Sequence, residues 1–373
     1  MSSTADAQHV KFAKTDRFHA RLKKKVDRYF SMTRQSPRDC PQIYVKSAVI
    51  LVTLAASYTL LVFGAPTFGQ SLLLAAVVGI SMALVGFNIQ HDANHGAYSR
   101  SRWINECMGL SLDLIGGGSH MWKYKHNVVH HTFANITGHD DDIELGILGR
   151  LSPHQKWLPF HRYQHYYLWF LYGFLVIKWH LFDDFRAFAA SHAGGRHFGR
   201  PRGWQLVKFV AGKLCFFSAA FVIPALIHPL WVVICYYLGI AWLAGLILSI
   251  VFQLAHSVEG ASFPIPDSST GQITDSWSVH QIETTVDFAR RNWLLSWLLG
   301  GLNFQVEHHL FPRICHIHYP KIARFVRKEC QKSGLHYKEH ITFFSALAAH
   351  GRWLKRMGRG AATLAQSPHA QHS

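Results

Sequence analysis

The chain has 373 residues, 49% hydrophobic, 14% aromatic and only 16% charged, with 27 histidines and a net charge of +17. That length would allow two ordinary soluble domains, but the apolar residues gather in a few long runs between basic, aromatic, histidine-rich stretches, which excludes two soluble cores. The positive charge suits either nucleic acid or a membrane face carrying anionic lipid, and the long apolar runs favour the membrane over nucleic acid.

Residues 1–42 are polar and basic, and no apolar segment with a small-residue cleavage site starts near them. The first apolar run is therefore expected to stay in the mature protein. Within this segment Phe18, Leu22, Val26 and Tyr29 recur at helical spacing among Arg21, Lys23, Lys24, Lys25 and Arg28. The pattern predicts a cytosolic amphipathic helix at a membrane surface, with a plain solvated helix as the alternative. Four spans follow, at about 43–63, 68–90, 206–227 and 230–254, each long enough for an apolar slab of roughly 30 Å. Residues 64–67 join the first pair and His228-Pro229 the second, so each pair reads as a tight hairpin. Lys208 and Lys213, near the start of the third span, are expected to snorkel outward.

Neither hairpin turn carries Lys or Arg, whereas the N-terminal segment, the middle region and the C-terminal tail (346–373) carry many. The positive-inside rule then places both termini and the middle region in the cytosol. Residues 91–205 and 255–373 fall on one side and are expected to form a shared cap. The aromatic stretch Tyr166–Trp179 reads as an interfacial helix rather than a fifth span. The last dozen residues read as disordered. The fold class expected is an all-α integral membrane protein: four transmembrane helices as two hairpins, with a cytosolic helical cap holding a dimetal site. The six cysteines are scattered without a CxxC pair, so reduced thiols are expected rather than a disulfide framework or a zinc site.

The histidines cluster where that topology brings them together. His91 and His95, at the cytosolic end of the second span, are four apart and stack on one helix face, where they can bind metal or be satisfied by water or lipid phosphate. In His126-Asn-Val-Val-His130-His131, His126 and His130 share a face and His131 is turned by about 100°, towards a second metal. The third cluster is Gln305-Val-Glu-His308-His309, in which Gln305 lies on the face of His308 and its amide is a weak candidate ligand. His256 ends the fourth span, at the position that mirrors the first cluster. Imidazole-rich ligation suits Zn, Cu, Fe or Ni, and an arrangement for two metals beside a membrane suits iron that activates dioxygen. Neutral ligands leave such a cluster highly charged, so carboxylates are expected behind them. Asp92, Asp140, Asp141, Asp142, Glu259 and Glu307 are candidates, although Asp140–Asp142 also reads as a solvated turn.

At these residues the sequence resembles the membrane fatty acid desaturase family over about residues 40–345, and a desaturase domain is drawn at 43–345. HDANHG, HNVVHH with the following TFANITGHDDDIE, and QVEHHLFP are similar to that family's histidine boxes. Gln305, in place of the first histidine of box three, is similar to the front-end subgroup, which inserts a double bond between an existing one and the carboxyl end. The resemblance implies a fatty-acyl desaturase with two iron ions, dioxygen as co-substrate, and an acyl chain threaded from the cap between the helices. It assigns His91, His95, His126, His130, His131, His308 and His309 to the metal. His256 resembles an extra histidine that stearoyl-CoA desaturases carry after their last span. Many eukaryotic front-end enzymes carry a fused cytochrome b5 with an HPGG motif, which this sequence lacks. Electrons are therefore expected from a separate ferredoxin or cytochrome b5-type donor with its reductase. The carrier of the acyl chain (CoA, acyl carrier protein or glycerolipid) stays open, and a bacterial inner membrane is the expected location. Rival readings are a hydroxylase, acetylenase or conjugase on the same scaffold, and a metal-binding membrane transporter. The transporter would carry ionisable residues along its spans near the midplane, and these spans lack such a row.

Overall fold

The computed structural model describes residues 10–64, 66–193 and 196–359. The expectation of disorder over the last dozen residues lies outside them. The described chain is almost wholly helical, with two short two-stranded pairings. Among the described residues, four helices are long and apolar enough to cross a membrane: Pro41–Phe63, Phe68–His95, Trp204–Ala225 and Leu230–His256. At 1.5 Å per residue they reach roughly 33–42 Å, enough for a hydrocarbon slab of about 30 Å.

Local chemistry sets where these helices start. Pro41 opens the first, where a missing backbone N–H costs nothing. Thr67 caps the second in a reciprocal box. Its hydroxyl accepts from Gln70 N, and the Gln70 side chain accepts from Thr67 N at 2.9 Å. Pro229 precedes the fourth and cannot continue the helix before it. The first long helix packs against the second, and the second against the fourth.

Glycine permits one close approach that positions the fourth helix. A side chain on Gly245 would run into the carbonyl of Gly173, and one on Gly173 into the Trp242 indole. The helices Gln164–Tyr172 and Phe174–Lys178, joined at Gly173, therefore lie directly against the fourth long helix. Small residues at such a crossing let backbones approach and gain packing contacts.

Three expectations need correction. The N-terminal helix, Arg17–Thr33, does not offer its apolar stripe to a membrane surface. Phe18, Leu22 and Val26 are buried against Ile322, Ala323, Val326 and Cys330 of the helix Tyr319–Ser333. Two matching stripes bury each other, and Arg21 and Lys25 both pair with the buried Glu329 carboxylate. Next, residue 346 is not the start of a tail. Phe343–Met357 is a helix that buries Ala346, Ala349, His350, Trp353, Leu354 and Met357. His350 meets the Tyr172 hydroxyl at 2.9 Å and Trp353 donates to the carbonyl of Leu151 at 2.8 Å, so this helix belongs to the main body. Finally, Lys213 does not snorkel outward. It is buried, donating to the Asp184 carboxylate at 2.7 Å and to the Gly116 carbonyl at 2.6 Å. An ammonium this deep is tolerable only with such partners. All six cysteines are free thiols.

Candidate metal centre

The second long helix does not run regularly into its histidines. Residues Gly86–Gln90 form a π-helical turn, and His91–His95 follow as regular helix. Such a turn inserts one residue and swings everything after it around the axis. The disturbed carbonyls are taken up by side-chain amides. Asn88 donates to Leu84 O and Leu298 O, and Gln90 donates to Gly86 O. Asn94 in turn donates to the Gln90 amide oxygen at 2.9 Å. The polar run Asn88, Gln90, Asn94 thus orients His91 and His95.

The second box sits on a longer π-helical stretch, Lys123–His130. The N–H of His131 bonds five residues back, to the His126 carbonyl. That wider turn brings His131 beside His126, with 3.3 Å between their Nε2 atoms. Regular helix geometry would have turned His131 away from it. The third box is carried by the short helix Gln305–Leu310, and His256 is the last residue of the fourth long helix.

Eight histidines from these elements converge, all of them buried. One group contains His91, His95, His126 and His308; another contains His130, His256 and His309; His131 lies with His308 and His309 between them. Within each group the ligand-capable atoms lie within 4.8 Å of one another. His91 Nε2 and His126 Nε2 are 3.2 Å apart. Nitrogens bound at about 2.1 Å to one ion stand roughly 3.0–3.4 Å apart, so this spacing suits shared coordination. The Gln305 side-chain amide lies 2.9 Å from His256 Nε2, at the edge of the second group.

Second nitrogens of several rings are already committed. His130 Nδ1 lies 3.2 Å from both oxygens of buried Asp140, and 3.5 Å from Asp142. His309 Nδ1 donates to the Gln281 amide oxygen at 2.7 Å, and His308 Nδ1 lies 3.2 Å from the Tyr319 hydroxyl. The Asp140 and Gln281 oxygens can only accept, which puts the proton on Nδ1 of His130 and His309 and leaves a lone pair on each Nε2. Among the described residues, the Nε2 atoms of His130, His308 and His309 are buried without a hydrogen-bond partner, as are His95 Nε2, His131 Nδ1 and His256 Nδ1. Orphaned polar atoms of this kind are costly in a finished protein interior. Six in one place fit a metal that completes them.

The remaining predicted residues separate. Asp92 accepts from the backbone and Nδ1 of His316, at 3.1 and 2.9 Å, and lies 4.0 Å from His91 Nδ1. Asp140 heads the turn that was also readable as solvated, yet it is buried and accepts from the N–H groups of Asn135 and Asp142. Glu307 points away from the histidines, towards Tyr337 and the buried Asp287. Burial and the Asp287 charge hold its carboxyl well above the usual range. Glu259 is not at the centre: it pairs with Arg352 at 2.6 Å on the surface. It follows the fourth helix, where the chain has already turned away. Gln281, Tyr319 and His316 were missed. Gln281 and Tyr319 belong to no spaced motif, and only the pair His316 and His318 just after box three offered a signal for the last.

Burial, together with neighbouring imidazoles, holds His126, His131, His308 and His309 well below the ordinary histidine value. For His130 burial acts in the same direction, but the charge and hydrogen bond of Asp140 outweigh it and raise the value. Groups with depressed values favour the unfolded state when protonated. Their contribution is full above about pH 6.5 and is lost as the pH falls. His130 acts in the opposite sense, stabilising below that pH. With these four imidazoles outweighing His130 and the raised Glu307 carboxyl, the metal-free protein is expected to melt at progressively lower temperature from about pH 6.5 to about pH 5. A melting temperature that is flat or rises over that interval would contradict the burial of neutral imidazoles.

The fatty acid desaturase family profile matches residues 67–340. The chain is 40% identical over 357 residues to the sn-1 linoleoyl-lipid 6-desaturase of Arthrospira platensis, covering 95% of this chain and 96% of that protein. It is 35% identical to the enzyme of the same name from Synechocystis sp., covering 95% and 99% respectively. It is 37% identical to an acyl-lipid (8-3)-desaturase of Physcomitrium patens, covering 93% of this chain and 72% of the moss protein. The family profile takes in all three histidine boxes and His256, and the chain belongs to the fatty acid desaturase family, whose oxygen-dependent oxidoreductase activity it carries.

Proposed function

We propose that the protein is a front-end acyl-lipid desaturase that uses two iron ions. His91, His95, His126 and His308 would hold one ion. His130, His256 and His309 would hold the other, with Gln305 at its edge and His131 reaching between them. The observation that carries this reading is the convergence of eight buried histidines in adjoining groups, with six ring nitrogens left unpartnered. Bound iron supplies the activation of dioxygen that removal of hydrogen from an unactivated methylene requires.

The chain's own side chains prepare that site. Asp140 and Gln281 keep protons on the Nδ1 atoms of His130 and His309, so their Nε2 atoms face inward unprotonated, and the Tyr319 hydroxyl holds the ring of His308. Burial keeps the His126 and His131 imidazoles neutral and available. Overall, two adjacent methylenes each lose a hydrogen, dioxygen is reduced to two waters, and two electrons and two protons are consumed. The electrons come from a separate ferredoxin or cytochrome b5-type protein with its reductase. The charge pattern of the turns supports two hairpins with both termini and a helical cap in the cytosol, in a bacterial inner membrane.

Gln305 and the names of the relatives support the front-end assignment and a glycerolipid-bound substrate. Expression in a host of known lipid composition supplied with linoleate is expected to add a double bond at carbon 6 of linoleoyl chains, located by gas chromatography and mass spectrometry. A hydroxylated or acetylenic product without a new alkene would overturn the outcome assigned here. Purified protein is expected to hold two irons per chain, and zinc alone would overturn the metal assignment.

A further inference from the structure

Two buried thiols meet just outside the metal centre. Cys40 immediately precedes the first long helix, and Cys315 lies in the loop between the third histidine box and the helix Tyr319–Ser333. Their side chains are in contact and share one apolar cluster. Hydrogen bonds hold the two segments together. The Cys315 N–H donates to the Pro37 carbonyl at 2.9 Å, and the Arg38 guanidinium donates to the Arg313 carbonyl at 3.2 Å. Cys40 keeps 5% of its surface exposed and Cys315 none, so a small oxidant meets Cys40 first.

The surroundings of Cys40 favour a thiolate. His318 Nε2 lies 2.9 Å from the Ser36 carbonyl, which can only accept, so that nitrogen carries a proton. The same nitrogen is 3.2 Å from Cys40 Sγ. The Cys315 thiol is a second donor to that sulfur. Cys40 also stands at the N-terminus of a 23-residue helix, whose dipole favours an anion there. Cys315 and His318 hold the Cys40 thiol down to about 5, against the opposing effect of burial. The contact with Cys40 and burial hold Cys315 well above the ordinary thiol value. One sulfur is ready to attack and the other keeps its proton. The chemistry of desaturation uses neither.

We propose that Cys40 and Cys315 form a peroxide-reactive pair that closes to a disulfide and, resting on the desaturase reading above, slows the enzyme. The oxidant is hydrogen peroxide. The Cys40 thiolate attacks one peroxide oxygen, an S–O bond forms, the O–O bond breaks, and the departing hydroxide takes a proton from solvent to become water. The Cys315 sulfur then attacks the Cys40 sulfenic acid. The S–S bond forms, the S–O bond breaks, and the hydroxyl leaves with the Cys315 proton as a second water. Two electrons from the sulfurs thus reduce one peroxide to two waters. A bond in place of a contact draws Cys315 towards the first long helix. Its neighbour His316 holds Asp92 through its backbone N–H and Nδ1, at 3.1 and 2.9 Å, and Asp92 follows His91. The link therefore reaches the first histidine group.

Purified full-length protein, reduced and then exposed to graded hydrogen peroxide, tests this. Tryptic digestion without reductant is expected to yield residues 39–46 joined to residues 314–321, two hydrogens lighter than the separate peptides, and dithiothreitol should part them. The link should form at peroxide concentrations that leave the exposed Cys107 a thiol. Desaturation is expected to fall roughly tenfold in step with the link, as for other disturbances behind a metal ligand, and to recover with dithiothreitol. Cys40→Ser and Cys315→Ala should keep the activity of the reduced protein and lose the peroxide response, whereas Cys330→Ser should retain it. Absence of the link at peroxide levels that oxidise Cys107 overturns the proposal, as does unchanged activity once the link is complete. An equal loss of activity in the unsubstituted protein and both variants also overturns it, and would place the damage at the iron. A mapped link in a protein that makes no alkene would sink the desaturase reading and leave the thiol pair standing.

Discussion

Replacing His256 with alanine is expected to abolish desaturation as completely as loss of a histidine within the three boxes. His256 is fully buried, and its ring centroid lies 4.6 Å from that of His130 and 5.0 Å from that of His309. Among the described residues no other supplies that corner of the second group, apart from the Gln305 amide, which is a weaker ligand. Iron content is expected to fall from two per chain towards one, and the new alkene to drop below detection by mass spectrometry. The informative comparison is Glu259→Ala. Glu259 lies three residues further on but pairs with Arg352 at the surface, and a surface ion pair is worth roughly 0–1 kcal/mol. That variant is expected to keep its iron and its product. Full activity in His256→Ala would remove His256 from the metal and reduce the second group to His130 and His309.

Asp140→Asn is expected to lower desaturation by about 10- to 100-fold while the protein remains folded, the range seen when a hydrogen-bond partner behind a metal ligand is lost. Both oxygens of Asp140 lie 3.2 Å from His130 Nδ1, and the same carboxylate accepts from the backbone of Asn135 and Asp142. Asparagine keeps the shape and one acceptor but removes the charge that favours a proton on Nδ1. The ring is then freer to turn or to change tautomer, and its Nε2 is less basic. Iron titration should show one ion bound more weakly, and the pH dependence of binding should shift because His130 loses the group that raises its value. Asp141→Asn serves as the neighbouring comparison. Equal losses in the two variants would indicate damage to the turn rather than to the His130 hydrogen bond.

The four long helices were legible in the sequence to within a few residues at each end. Sustained apolarity, a proline at the first turn and a threonine cap are local signals, and the observed starts at Pro41, Phe68 and Leu230 follow them. The box histidines were legible for the same reason, since their spacing is short and their place at the ends of apolar runs is a property of the chain alone. Gln305 in place of a histidine could likewise be read directly.

How the histidines divide was not legible. A spacing of four or five residues has one meaning on a regular helix and another on a π-helical turn. Only packing around Asn88, Gln90 and the 123–130 stretch selects the wider turn. That choice brings His131 beside His126. The carboxylates show the same division. Asp140 and Glu259 looked equally available, yet one is buried against His130 and the other is drawn to Arg352, more than ninety residues away. Gln281 and Tyr319 hold two of the rings from sites with no motif at all. The apolar stripe of Arg17–Thr33 was read correctly as a stripe, but its partner turned out to be the helix Tyr319–Ser333 rather than lipid. Periodicity states that a face must be covered, and only the tertiary fold decides what covers it. The sequence by itself determined a membrane-spanning, histidine-rich desaturase scaffold, because those signals are local. The tertiary structure decided which nitrogens share a group and which partners hold them, because hydrogen bonds and burial depend on residues brought together from distant parts of the chain.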